Sequence, residues 1–392
     1  MKFARRLDQV PPYLFAELER QISAKEREGV DVISLGIGDP DLPAPDAVVE
    51  AAAAGLRDPR THQYPSNQGT EEFREAAAGF YRERFAVELD PSSEVIPVLG
   101  GKEAVGHIAL ACLDPGGLSL SPEPGYPPYT SGPVFAGADV HYLPLTPAND
   151  FFPDLDAIPE EIADRANLLY LDYPNNPTGA VVPEGAFERT VEFARQHGLI
   201  VVHDNAYSEI TFDGYVAPSF LETNGAKEVG VEIFSLSKGW NMTGWRCGLV
   251  AGNAEIVERY RGLKANIDSG LFEAIQRAAV VALTSERDFP RRMSEVYSRR
   301  RDLLVAALAE IGLDVDPPKA TPYFWVRVPD GHTSASFTSL VLEQANVVVS
   351  PGPGYGPSGE GFVRLSMTVP DERLEEAVRR IESSLRASII QG

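Results

Sequence analysis

The hydrophobic positions change period along the chain. Through the middle, short unbroken apolar runs alternate with stretches of helical spacing. The run EVIPVLGG (94–101) predicts a strand that ends on glycines. KEAVGHIALACL follows it, with Val105, Ile108 and Cys112 on one helical face. NLLYLDYP (167–174) predicts a second strand, stopped by Pro174, and FERTVEFARQHG (187–198) a helix closed by Gly198. LIVVHDNAY (199–207), EIFSLSK (232–238) and CGLVAG (247–252) predict three more strands. Continuous apolar strands alternating with helices predict an α/β fold: a mostly parallel sheet with helices on both faces. Ligands of such sheets collect beyond the carboxyl ends of the strands.

The two ends read differently. Residues 11–29 have Leu14, Leu18 and Ile22 at fourfold spacing, an amphipathic helix with Gly29 as its stop. Late in the chain a charged helix around 297–312 is followed by YFWVRV (323–328), NVVVSPG (346–352), FVRLSM (362–367) and a last helix from Glu372. The expected organisation is an N-terminal segment (1–44) packed on a smaller α+β domain (286–392), with a large three-layer α/β/α domain (45–285) between them.

Composition narrows the function classes. The chain has 392 residues and a formal net charge of −22, which argues against a nucleic-acid backbone or an anionic membrane surface as partner. A small anionic ligand is still allowed, because a few local cations outweigh the global field. Two cysteines, Cys112 and Cys247, in apolar contexts give neither a disulfide framework nor metal-ligand spacing. The first residues, MKFARRLDQVPPY, are followed by no apolar run, and no stretch of about 18 apolar residues occurs. The expectation is a cytoplasmic protein.

Five polar features fall at strand ends. YPNNPTG (173–179) alone is ordinary turn chemistry. Asp204 ends the run LIVVH, where a carboxylate is costly to bury unless something donates to it. Ser235, Ser237, Lys238 and Arg246 cluster in SLSKGWNMTGWRCG, where Gly244 most simply lets the chain turn back toward Arg246. Arg364 sits inside the apolar FVRLSM, and alone could pair with an acid. LGGKEAV (99–105) places two glycines before a helix N-terminus, where free N–H groups bind anions. It lacks the GxGxxG spacing of dinucleotide folds and the GK[ST] of a P-loop. Together these features ask for a ligand with a phosphate (backbone near Gly101, Ser235, Arg246), an electrophile within reach of Lys238, a ring nitrogen facing Asp204, and a ring oxygen facing Tyr207 and Asn176. Pyridoxal 5′-phosphate carries all four groups.

The order NNPTG, DNAY, SLSK with GWR behind it, and a late VRLS resembles the fold-type I pyridoxal-phosphate-dependent aminotransferases. LGIGDPDLPAP, HQYPSNQG, PGYPPY and CGLVAGN extend the likeness over the whole chain. The resemblance implies that Lys238 carries the cofactor and shuttles a proton, that Asp204 faces the ring nitrogen, and that Asn176 and Tyr207 face the ring hydroxyl. It implies that Tyr126 lies against the ring, and that Ser235, Ser237, Arg246 and the Gly101–Lys102 amides hold the phosphate. Tyr64 would reach the phosphate of a neighbouring subunit, making a homodimer with shared active sites. Arg364 would grip the substrate α-carboxylate as a bidentate fork, helped by the Gly38 backbone.

Within that family, RRLDQVPPYLFAEL (5–18), HDNAYSEITFDGY (203–215) and LKANIDSGLFEAIQ (263–276) resemble the LL-diaminopimelate aminotransferases of lysine biosynthesis. That likeness implies Tyr13 at the substrate pocket and 2-oxoglutarate as acceptor. Trp240, Asn205 and Gly101 depart from the group's pattern. Aspartate, alanine, methionine or aromatic amino acids are alternative substrates on the same scaffold; a β-lyase, a decarboxylase or a non-catalytic sensor are more distant alternatives.

Overall fold

The structure, a computed structural model, describes residues 3–10, 14–313 and 315–390. Its strands, in chain order, are β1 (Ile33–Ser34), β2 (Val95–Val98), β3 (Leu118–Glu123), β4 (Asp139–Pro144), β5 (Leu168–Asp172), β6 (Ile200–Asn205), β7 (Gly230–Ser235), β8 (Gly248–Gly252), β9 (Tyr323–Arg327), β10 (Val347–Val348), β11 (Ser350–Pro351) and β12 (Phe362–Ser366). Seven of them form one sheet in the order β2-β8-β7-β6-β5-β3-β4. β8 pairs antiparallel with both neighbours and the other pairings are parallel.

The apolar runs explain this sheet. β5 and β7 are buried at every position, so both faces are covered. Alternate residues divide between two cores. Leu169, Leu171 and Val201 join one, and Leu168, Tyr170 and Val202 the other. The helix Ala186–His197 turns into β6 through Gly198, whose φ of 69° and N–H to Ala194 O close the last turn.

Strand direction makes the site. β2, β3, β5, β6 and β7 run the same way, so their carboxyl ends share one edge of the sheet. β8 runs the other way and brings its amino end, with Arg246 just before it, to that same edge.

The structure corrects the sequence reading in three places. The stretch 232–238 is not strand throughout. β7 stops at Ser235, whose Oγ accepts the Ser237 N–H at 3.2 Å, and Leu236–Gly239 form a single helical turn that carries Lys238. β3 and β4 escaped the pattern. Ser119 and Ser121 are fully buried in β3, and β4 is a largely solvent-facing edge strand, so neither shows an apolar run. Gly244 is not the glycine that the phosphate corner needs: a Cβ there would meet nothing within 4 Å.

A second group of elements lies across the cleft. β9, β11 and β12 form an antiparallel sheet in the order β11-β12-β9, and β1 pairs in parallel with β10. Their core takes Ile33 and Leu35 from near the start of the chain and Leu304, Val341, Leu374 and Ile381 from the later helices. Tyr207 and Ile210, from the loop after β6, also belong to it.

Candidate active site

The strand ends open into a cleft of 410 Å³. Gly38, Gly101, Lys102, Tyr126, Asn176, Asp204, Tyr207, Ser235, Ser237, Lys238, Arg246 and Arg364 all line it. Two expected residues do not join them. Tyr64 is 91% exposed and outside the cleft, and Tyr13 lies outside the described residues.

Lys238 reaches across the cleft, where its Nζ donates to Gly38 O at 2.7 Å. Gly38 has to be glycine, since a Cβ there would sit 2.3 Å from the Tyr323 ring. The Tyr323 hydroxyl in turn meets the Tyr207 hydroxyl at 2.9 Å.

The floor is acidic. Asp172 and Asp204 are register partners on β5 and β6, and both are buried. Asp204 Oδ2 accepts the Tyr129 hydroxyl at 3.0 Å, while Oδ1 is buried with no hydrogen-bond partner among the described residues. Burial pushes the Asp204 carboxyl up to about 6, against the Tyr129 hydrogen bond and the His203 charge that favour its ionised form. Asp172 Oδ2 accepts the Asn176 N–H at 3.1 Å, and its Oδ1 also has no such partner. Burial first, and the Asp204 charge second, hold Asp172 well above the carboxylate range.

The corner expected to hold a phosphate lies between the ends of β2 and β8. Gly100 precedes the helix Gly101–Cys112 with φ 85° and gives no side-chain cap to its N-terminus. A Cβ on Gly100 would lie 2.5 Å from the Arg246 guanidinium. The required glycine is therefore this one, and Arg246 itself takes the left-handed turn, with φ 55°, that Gly244 was expected to provide. Arg246 Nη1 is held by Thr243 O at 2.9 Å.

Opposite the floor, Arg364 is 1% exposed. Its Nη1 donates to Asn176 Oδ1 and its Nη2 to Gly36 O, both at 2.8 Å, and its guanidinium lies 4.1 Å from the Tyr323 ring centre. The Asn176 amide thus turns its oxygen to the arginine. Tyr126 packs edge-on to Tyr129 at 5.9 Å.

Among the cleft residues, Asp172, Tyr129 and Tyr323 were not singled out from sequence, nor were Gly36 and Gly100, which lie against Arg364 and Arg246. Asp172 carried a usable signal. It ends an apolar run in LLYLDYP just as Asp204 does in LIVVHDN. Of the three residues that depart from the group's pattern, Gly101 lines the cleft and the other two prove to be structural. Trp240 is fully buried between Phe80 and Phe234, and its Nε1–H donates to Glu286 O at 3.0 Å. Asn205 points away from the cleft and donates to Glu232 Oε1 at 2.9 Å.

These residues fit pyridoxal phosphate. The orphaned Asp204 oxygen is an acceptor waiting for a ring N–H, and the uncapped helix N-terminus beside Arg246 and Ser235 suits a phosphate. Lys238 brings an amine into the same cleft.

The fold and cleft define a class, the pyridoxal-phosphate-dependent aminotransferases. The chain belongs to the family described as aminotransferase class I and II, whose model matches residues 30–381. It is 51% identical over 382 residues to the LL-diaminopimelate aminotransferase of Desulforudis audaxviator, covering 97% of each chain. It is 49% identical over 385 residues to that of Moorella thermoacetica, covering 98% of this chain and 99% of the other. Substrate-bound BacF from Bacillus subtilis superposes with a TM-score of 0.94 at 36% identity, over 98% of both chains.

Proposed function

We propose that this protein is an LL-diaminopimelate aminotransferase in lysine biosynthesis, passing the amino group to a 2-oxo acid, with 2-oxoglutarate as acceptor. The observation that carries this is one cleft, holding Lys238, Asp204 and Arg364, in a chain that matches enzymes of that name from end to end.

When bound, pyridoxal phosphate supplies the electrophile and the electron-withdrawing ring that make a substrate α-proton removable. Asp204 would face the ring nitrogen with its unpartnered Oδ1 and hold a proton there. Asn176 and Tyr207 donate to the ring oxygen. Tyr126 covers a ring face. Ser235, Ser237, Arg246 and the N–H groups of Gly101 and Lys102 hold the phosphate, which fixes the position of the reacting carbon relative to Lys238 Nζ. Arg364 takes the substrate α-carboxylate in a bidentate fork beside the Gly38 backbone. With both ends anchored, the Lys238 amine would be the group placed to take up and give back the substrate α-proton. The exposure of Tyr64 supports a homodimer in which it completes the neighbouring subunit's phosphate site.

The test is a substrate panel on purified holoenzyme. LL-diaminopimelate, aspartate, alanine, glutamate, methionine and phenylalanine are each added without acceptor, and the visible absorbance of the cofactor is followed. LL-diaminopimelate should convert it at the highest kcat/KM among the donors. A response to aspartate or phenylalanine with none to LL-diaminopimelate would keep the aminotransferase and overturn the substrate. Lys238→Ala should lose turnover by roughly 10⁴-fold or more.

A further inference from the structure

The floor of the cleft contains one more acid than the reaction uses. Asp172 lines the cleft beside Asp204, on the neighbouring strand and in register with it. Among the described residues, the Asn176 N–H is directed at it at 3.1 Å, and the Tyr129 hydroxyl is near enough to act on it as well. The Tyr129 hydroxyl lies between the two carboxyls, and its single proton goes to Asp204 at 3.0 Å. Two neighbouring buried carboxylates, each with one oxygen that no described residue donates to, cannot both hold a negative charge cheaply.

We infer that Asp172 is a positioning residue kept as a neutral carboxylic acid, so that Asp204 alone is charged on the cleft floor. The inference rests on the aminotransferase reading and assigns Asp172 a task within it. An ionised Asp172 would place a like charge beside Asp204 and raise that group's proton affinity. Asp204 would then compete for the proton it is meant to hold on the ring nitrogen, and the ring would lose its positive charge. A neutral Asp172 prevents this while keeping the floor polar.

The surrounding groups agree. Asp172 is faced by Asp204 of β6, Tyr129 of the helix Pro128–Ala136, Tyr173 next to it in the chain and Tyr207 beyond β6. None of these is a cation. Positive charges in or beside the cleft bond or act on other groups: Lys238 donates to Gly38 O, Arg246 to Thr243 O and Arg364 to Asn176, and His203 acts on Asp204.

Infrared spectroscopy of the full chain labelled with ¹³C-carboxyl aspartate tests this without relying on turnover. The label matters because burial also pushes up Glu209, which it leaves silent. At pH 8 the wild type should show the carbonyl stretch of a protonated aspartic acid. Asp172→Asn should lose that band. The cofactor-free protein adds a pH profile. A carboxyl protonated when folded and ionised when unfolded costs stability as pH rises above about 4, so the Tm of Asp172→Asn minus that of wild type should grow from pH 5 to pH 8. Cofactor affinity of Asp172→Asn should stay within about threefold, since the amide is isosteric with the neutral acid. No labelled carbonyl band in the wild type at pH 8, a band that survives in Asp172→Asn, or a Tm difference that does not change with pH, would overturn the inference. If Asp172→Asn does not fold, Asp172→Glu decides, since it carries no aspartate label and should lose the band. Failure of the LL-diaminopimelate assignment would leave these readouts untouched.

Discussion

Two buried carboxylates one strand apart have opposite fates. Asp204 on β6 and Glu232 on β7 are both cut off from solvent. Glu232 accepts from the His203 ring at 2.9 Å, Asn205 Nδ2 at 2.9 Å, the Tyr81 hydroxyl at 2.7 Å, the Ser219 hydroxyl at 2.8 Å and the Phe220 N–H at 3.0 Å. Burial works against its charge, but His203 and the other donors outweigh it and hold Glu232 below the ordinary range. Asp204 receives one hydrogen bond, and burial wins. Depth is therefore not what separates a structural acid from a chemical one. The difference is whether the protein itself supplies the donors. Glu232 is finished by its own chain, whereas Asp204 has an oxygen left over for a ligand.

The largest expected contrast is between removing the two charges. Asp204→Asn should cut kcat/KM by roughly 10³-fold while the cofactor-free protein folds at least as well as wild type. Glu232→Gln should do the reverse, costing about 3 kcal/mol of stability, because it breaks a buried pair with His203, and changing kcat/KM little. Denaturant unfolding and steady-state kinetics on both variants measure this. A Glu232→Gln protein of unchanged stability would break the comparison.

The sequence reaches unequally far into this contrast. Asp204, Lys238, Asn176 and Arg364 were legible because each interrupts an apolar strand or follows its end, where a polar residue needs a reason. Glu232 and His203 also interrupt apolar runs, yet their satisfaction depends on Tyr81, Ser219 and Asn205, which come from three separate segments. No local pattern joins them. β3 was lost for a related reason: Ser119 Oγ and Ser121 Oγ pair with each other at 3.2 Å, so polar residues sit in the core without disturbing it. Gly100 was passed over for Gly244 because the close approach of Arg246 is a fact of three-dimensional packing, while a glycine two residues before an arginine is visible in the sequence.

Next in size is the pH dependence. With its folded value raised to about 6, Asp204 keeps a proton that the unfolded chain gives up near pH 4. Its contribution to the cofactor-free protein is fully present below pH 4 and is lost as pH rises through 6, a change of roughly 2–3 kcal/mol. Asp204→Asn should remove that fall. Glu232, displaced downward, contributes in the opposite sense: its stabilisation is present above its unfolded value and lost as the medium becomes more acid. A wild-type minus Asp204→Asn stability difference that is flat between pH 4 and 7 would remove the distinction between the two acids.

The smallest effect sharpens the comparison most cleanly. Tyr81→Phe deletes one hydroxyl from the Glu232 cluster with almost no change in volume. A hydrogen bond to a charged acceptor contributes about 1.5 kcal/mol, and four donors remain on Glu232, so the loss should be near that figure. In the Glu232→Gln background the same deletion should cost less, because the acceptor no longer carries the charge that strengthened the bond. Cofactor affinity should not move in either background, since Tyr81 and Glu232 lie outside the cleft lining. A loss of cofactor in Tyr81→Phe would mean that the satisfied cluster reaches Asp204 through His203, and that the two acids act as one electrostatic unit.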